Sequence, residues 1–157
     1  MRVAIIAVLI VATGVAVATP VPVLSVSDDQ RELLGYLREG EPLVYSYRHS
    51  IYEVSVAEHF VSDGSRLRLE RVIASDIRVI EYLRWETAIR REGDEFVAEA
   101  PAADLTELVI HVSPGAEQRL RSGGWSFLLA ERFGEGVVRV RAERVGALPA
   151  LLRGLAW

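Results

Sequence analysis

The sequence predicts an all-β protein: a single antiparallel β-sandwich or partly closed barrel preceded by an N-terminal hydrophobic helix. Short segments of alternating apolar and polar residues, with turn-forming residues at roughly ten-residue spacing, indicate antiparallel strands. A βαβ fold is not expected, because no long amphipathic segment separates these strands. In this chain of 157 residues, we expect a signal peptide or N-terminal membrane anchor at residues 1–20 and one exported β-domain at residues 21–157.

The N-terminal segment has the features of an export signal. Residues 3–19 contain no charged side chain, follow Arg2 and approach Pro20 through the small-residue triplet AVA at 16–18. A basic start, an apolar centre and small residues before the cleavage site are typical of a signal peptide. A helix of this length spans about 26 Å against a hydrocarbon core of about 30 Å, so an uncleaved anchor is the alternative. We therefore expect the domain at the extracytoplasmic face of the cytoplasmic membrane, or secreted if the segment is cleaved.

Turn signals divide the region after Pro22 into short strands. The predicted turns are SDDQ at 27–30, GEP at 40–42, DG at 63–64, EGDE at 92–95, SPG at 113–115, SGG at 122–124 and GEG at 134–136. The predicted strands cover residues 21–26, 32–39, 42–52, 56–62, 66–73, 77–89, 95–100 and 102–113, a hairpin within 117–131, and 134–145. The apolar tail at 148–157 predicts a short helix or a last edge segment.

Residues 32–39 fit both a helical face and a strand. Gly35 in the middle of the segment and the GEP turn after it favour a strand, because glycine is a poor helix former.

His49 lies in the segment that predicts a strand most clearly. By alternation, Leu43, Tyr45, Tyr47, His49 and Ile51 share one face of this strand. His49 therefore points to the more apolar side of the sheet, where a polar side chain needs a hydrogen-bonding partner.

Glu58 and Glu81 are the candidate partners of His49. Glu81 interrupts an apolar row in the segment 77–89. A symmetric hairpin after His49 places Ser50 opposite Glu58, whereas a slip of one residue places Glu58 opposite Ile51. The polar cluster of His49, Ser50, Glu58 and Glu81 predicts a ligand pocket or a catalytic base with an orienting carboxylate. The alternative is a structural hydrogen-bond network that holds strands together.

Composition excludes several kinds of chemistry. The chain has no cysteine and no lysine, which removes disulfides, thiolate metal sites, thiol nucleophiles and Schiff-base mechanisms. Its three histidines, His49, His59 and His111, lack metal-ligand spacing, so we expect no metal and no cofactor. The net charge of −4 and the absence of a basic stripe argue against a nucleic-acid partner.

Several segments together resemble a known family. These are VLSV at 23–26, YSYRHSIYEVSVAEHF at 45–60, RVIASDIRVIEY at 71–82, and EQRLRSGGWSFLLAE with GEGVVRVRA at 117–142. In this order, after a hydrophobic N-terminus, they resemble the bacterial and archaeal domain-of-unknown-function family 1850. The His49-Ser50 pair followed by Glu58 is the most specific element, and Glu81-Tyr82 is a second one. The proline that the family usually has after His-Ser is absent, and residues 54–56 (VSV) stand in its place.

The resemblance implies a context and no established activity. Proteins of this family are small companions of TAXI-type TRAP transporters, which import solutes using ion gradients. We therefore expect a membrane-associated accessory or binding component, in contact with the transporter's membrane subunits or its solute-binding protein, rather than an enzyme. Two alternatives stay open: a hydrolase that uses His49 with Glu58 or Glu81, and a small-ligand-binding module in which Arg48, His49 and Tyr52 line a barrel mouth. The resemblance adds Tyr82 to the candidate cluster.

Overall fold

A computed structural model describes residues 20–152 of the chain. The hydrophobic segment that we predict to be a signal peptide or anchor, and residues 153–157 of the apolar tail, lie outside the described residues. Within residues 20–152, no helix has the length and apolar character needed to cross a bilayer.

The described residues form an all-β protein with antiparallel pairing throughout the two sheets, which confirms the predicted class. The strands in chain order are β1 (Pro20–Ser27), β2 (Glu32–Tyr36), β3 (Pro42–Arg48), β4 (Ser55–Ser62), β5 (Leu67–Ala74), β6 (Ile89–Glu92), β7 (Glu95–Glu99), β8 (Asp104–Leu105), β9 (Leu108–Val112), β10 (Arg119–Ser122), β11 (Trp125–Leu128) and β12 (Gly136–Gly146). A 4-stranded sheet has the order β2-β1-β12-β9. An 8-stranded sheet has the order β11-β10-β3-β4-β5-β7-β6, with β8 paired to β5.

The two sheets pack face to face through their alternating apolar side chains. Leu24 and Val26 of β1 meet Leu43, Phe60 and Leu120 of the larger sheet in the main core. All five are at most 1% exposed, and burying each contributes about 1.5–3 kcal/mol relative to an exposed position. The result is a β-sandwich, stabilised without disulfides by apolar packing between its layers.

Within residues 20–152, three short α-helices and one 3₁₀ turn connect or flank the strands. They are α1 (Ile77–Tyr82), the 3₁₀ turn Pro114–Ala116, α2 (Leu129–Phe133) and α3 (Ala147–Leu152). The helix α3 occupies the described part of the tail, for which the sequence allowed a helix or an edge segment.

The helix α1 corrects the strand predicted over residues 77–89. Asp76 begins the helix: its Oδ1 accepts a hydrogen bond of 2.9 Å from the backbone N–H of Arg78. The consecutive residues Val79 and Ile80 are both buried in a second apolar cluster against Val56 and other large-sheet residues. A strand would send these two neighbours to opposite faces, so packing overrides their β propensity.

The β3–β4 hairpin has a different register from either predicted one. The two strands pair from Pro42↔Val61 to Arg48↔Ser55, which places Glu58 opposite Tyr45. His49 consequently lies in the connecting loop, beyond the end of β3. This loop includes Glu53 at a φ of 55°, which is uncommon for a residue other than glycine and is not indicated by the sequence.

The long strand β12 gives the sandwich two distinct ends. Gly136 pairs with Val112 at one end, and Gly146 pairs with Pro20 at the other. The 11 residues of this strand separate the two ends by about 33 Å at the usual strand rise. The loop containing His49 lies near the Gly136 end.

Candidate functional site

An open cleft of about 500 Å³ lies at the Gly136 end of the sandwich. One wall comes from β3 and the loop after it, and the other comes from the segment joining β9 to β10. The lining residues are Tyr45, Tyr47, Arg48, His49, Ser50, Glu53, His111, Ser113, Gly115, Ala116 and Gln118. We call this surface the cleft.

Gln118 connects the two walls of the cleft. Its Oε1 accepts from the backbone N–H of Ser113 at 2.8 Å, and its Nε2 donates to the backbone carbonyl of His111 at 2.8 Å. Nε2 also donates to the hydroxyl of Tyr45 at 2.9 Å. Gln118 is 7% exposed and Tyr45 is likewise 7% exposed, so the amide oxygen and both amide hydrogens of Gln118 are paired where water is scarce.

Tyr47 and Glu58 form a second polar pair beside Tyr45. The hydroxyl of Tyr47 donates to Oε1 of Glu58 at 3.1 Å. The rings of Tyr45 and Tyr47 stack with their centroids 5.1 Å apart. Alternate residues of β3 thus place two phenols next to one carboxyl on the inner face of the larger sheet.

Burial raises the pKa values of the Glu58 carboxyl and the two neighbouring phenols. It raises the pKa of the Glu58 carboxyl above its ordinary value, and the hydrogen bond from Tyr47 lowers it in part. Burial likewise raises the pKa of Tyr45 to about 12. The pKa of Tyr47 rises too, first through burial and then through the neighbouring Glu58 charge. Both phenols are therefore neutral hydrogen-bonding groups at physiological pH.

His49 caps the loop that follows β3. Its Nδ1 accepts from the backbone N–H groups of Ile51 at 3.3 Å and Tyr52 at 3.4 Å. Its ring lies 5.2 Å from that of Tyr52 and 6.3 Å, edge to face, from that of Tyr82. His49 therefore has a structural role in the loop while it also lines the cleft.

The residues of the predicted cluster lie in separate places in the structure. His49 and Ser50 line the cleft, and Tyr82 contacts His49 through its ring. Glu58 pairs with Tyr47 rather than with His49. Glu81 is exposed on α1.

The geometry does not supply the His–carboxylate pair of a hydrolase. Among the hydrogen bonds of the described residues, none joins His49 to Glu58 or Glu81, and Nδ1 of His49 accepts backbone amides. In a Ser-His-Asp arrangement the orienting carboxylate accepts a hydrogen bond from an N–H at that same nitrogen. Within residues 20–152, no group of three or more His, Asp or Glu side chains is arranged to hold a metal ion.

Sequence reasoning missed Tyr45 and Gln118 as site residues. Tyr45 alternates with Leu43 and resembles a core position. Gln118 lies 73 residues further along the chain, so no local pattern joins the two. The one available signal was a lone glutamine next to a predicted hairpin, and a single polar residue there usually faces solvent.

Fold and site together define a class: an antiparallel β-sandwich with a polar cleft at one end. Comparisons of the chain with protein-family models, with curated proteins and with solved structures give no match.

Proposed function

We propose that this chain is an exported β-domain that binds a small polar ligand as an accessory component of a TAXI-type TRAP transporter system. The cleft is the observation that carries the proposal. Its volume of about 500 Å³ lies in the range of small-molecule sites, which are concave and present few, well-placed polar groups.

The floor of the cleft is built to keep its shape. Gln118 uses both amide hydrogens and its carbonyl oxygen, and Tyr45 and Tyr47 are held by stacking. A preorganised site binds more tightly because less freedom is lost on binding. The cleft therefore suits recognition of one small molecule better than it suits adaptation to many.

The transporter context rests on the family resemblance. His49 and Ser50, its most specific residues, line the cleft, and Glu58 lies beside Tyr47. We expect residues 3–19 to bring the domain to the extracytoplasmic face of the cytoplasmic membrane. There its partners are the transporter's membrane subunits or its solute-binding protein.

Ligand binding is tested by a thermal-shift screen of the domain starting at residue 20, using small carboxylates, amino acids and sugars. A binder present at about 100 times its Kd raises stability by about 2.7 kcal/mol, which is readily seen as an increase in Tm. A screen that leaves Tm unchanged for every compound contradicts a binding role for the cleft.

The partner is tested separately with the full chain, tagged at its C-terminus and purified from membranes in mild detergent. Recovery of TRAP subunits or a solute-binding protein supports the transporter context. Recovery of this chain alone in every preparation contradicts it, whatever the ligand screen shows.

A further inference from the structure

The backbone fixes the orientation of the Gln118 amide. The N–H of Ser113 is able only to donate, so it must meet the amide oxygen, and the carbonyl of His111 is able only to accept, so it must meet the amide nitrogen. Exchanging the two ends of the amide would bring donor to donor and acceptor to acceptor. The second hydrogen of Nε2 therefore points at the hydroxyl oxygen of Tyr45.

The direction of this hydrogen bond determines which hydrogen-bonding capacity of the Tyr45 hydroxyl is left for a ligand. Because its oxygen accepts from Gln118, the hydroxyl proton of Tyr45 is available for a different acceptor. Among the hydrogen bonds of the described residues, none uses this proton. Tyr45 lines the cleft, and burial keeps the phenol neutral because its pKa is raised to about 12.

Other side chains around the cleft also offer donors. Since Nδ1 of His49 accepts backbone amides, the proton of the neutral ring is on Nε2. Arg48 adds a guanidinium. Glu53, the single carboxylate among the described residues that line the cleft, lies 3.7 Å from Arg48, and both side chains are about half exposed or more. Such a solvent-exposed pair is weak and easily exchanged.

We propose that the ligand of the cleft carries a carboxylate that accepts the hydroxyl proton of Tyr45 and pairs with the guanidinium of Arg48. This inference deepens the proposed function and rests on it. Tyr45 is the specificity-determining residue, because Gln118 already donates to its oxygen and the hydroxyl proton is the group left for the ligand.

The test uses two probes of equal chain length, propionate and propylammonium, titrated into the ¹⁵N-labelled domain while amide shifts around the cleft are followed. We expect propionate to shift the amides of Ser50 and Ser113 saturably and propylammonium to bind at least several-fold more weakly. The variant Tyr45→Phe keeps the ring and its stacking, and it should weaken propionate binding about tenfold, as expected for one hydrogen bond to a charged group. Tyr36→Phe, which removes an exposed hydroxyl on β2, should leave binding unchanged.

A second variant tests the direction of the bond. In Gln118→Glu the carboxylate still accepts from Ser113 but has no hydrogen for Tyr45 or for the carbonyl of His111. The hydroxyl of Tyr45 then donates to residue 118, and unchanged ¹⁵N shifts away from the cleft show that the variant is folded. Propionate binding should fall and propylammonium binding should rise. If Tyr45→Phe binds propionate as well as the wild type does, or if propylammonium binds at least as tightly as propionate, the inference is overturned while the binding role of the cleft stands. If neither probe shifts any amide around the cleft in the wild type, this inference fails; the proposed binding role itself is overturned only by the wider thermal-shift screen.

Discussion

The hydroxyl of Tyr47 donates to Oε1 of Glu58 at 3.1 Å, and this bond lies at the boundary between the two apolar clusters. On β4, Glu58 is flanked on the same face by Val56 of the second cluster and Phe60 of the main core. A carboxyl in this position loses much of its hydration, and one phenol hydrogen bond only partly replaces it. The charged form of Glu58 is therefore a cost to the fold.

This cost predicts the pH dependence of stability. Because the pKa of Glu58 is raised on folding, the native state binds its proton more tightly than the unfolded state does. This stabilising contribution is complete below the unfolded pKa and is lost as the pH rises through the raised native pKa. Glu58→Gln, which keeps an oxygen for Tyr47, should remove this loss and be more stable than the wild type at neutral pH.

The measurement is urea unfolding of both proteins across the acidic and neutral range. Glu81→Gln, which removes an exposed carboxyl, controls for the change in net charge. A difference between the wild type and Glu58→Gln that does not vary with pH would contradict the assignment.

The phenol of Tyr45 should lose its proton at a higher pH than a free phenol does. Burial, the largest cause, raises its pKa to about 12 from an ordinary value of 10.0, so its proton is still bound where a free phenol is largely ionised. A spectrophotometric titration of the wild type minus that of Tyr45→Phe isolates its phenolate absorbance, with an expected midpoint at about 12. Since the neutral form is favoured by folding, stability should decline as the pH rises from 10 towards that midpoint. A difference curve centred near 10 would show that the hydroxyl is solvated.

His49 should be replaceable by asparagine more readily than by alanine. Asparagine has a side-chain oxygen that accepts from a backbone N–H two residues on, as Nδ1 of His49 does from Ile51. His49→Ala should cost about 1 kcal/mol of stability and speed hydrogen exchange at Ile51 and Tyr52. His49→Asn should restore most of the protection, although both variants lose the ring contacts. Equal exchange in the two variants would mean that the rings, rather than Nδ1, hold the loop.

Two glycines give a matched test of the contact between Arg144 and the β4–β5 turn. Gly64 and Gly40 have φ of +88° and +79°, but a Cβ at Gly64 would lie 2.9 Å from Arg144 Nη2, whereas one at Gly40 meets nothing within 4 Å. Both alanine variants should lose about 1–2 kcal/mol through the left-handed backbone. Gly64→Ala should lose up to about 1 kcal/mol more, since it displaces Arg144 from Glu39. Chemical denaturation measures this, and the extra loss should vanish when Arg144→Ala is present in both variants.

Strands whose signals are local were predictable from the sequence. The hairpin of β10 and β11 follows from alternation on both sides of the SGG turn, and β2 follows from Gly35 and the turn after it. The helix α1 was not predictable in this way, because its β-branched residues favour a strand. Only contact with the second cluster, which is built from distant strands, decides in favour of a helix there.

Single residues of the site were predictable from the sequence, but their partners were not. Glu58 was found because the predicted hairpin after His49 brings its strand alongside that residue. Its actual partner, Tyr47, depends on the hairpin register, which the loop conformation at Glu53 determines. Gln118 meets Tyr45 only because β10 pairs with β3. Such pairings between distant segments leave no local trace in one sequence.

The placement of Pro20 has a practical consequence for how this domain is displayed. It pairs with Gly146 at the end of β12 remote from the cleft, about 33 Å along that strand from Gly136 at the usual strand rise. Anything joined before Pro20, whether a lipid bilayer, a bead or a fluorescent fusion, is therefore attached at the end of the sandwich opposite the cleft and leaves the cleft accessible. Immobilisation through this end is thus the favourable geometry for a biosensor surface.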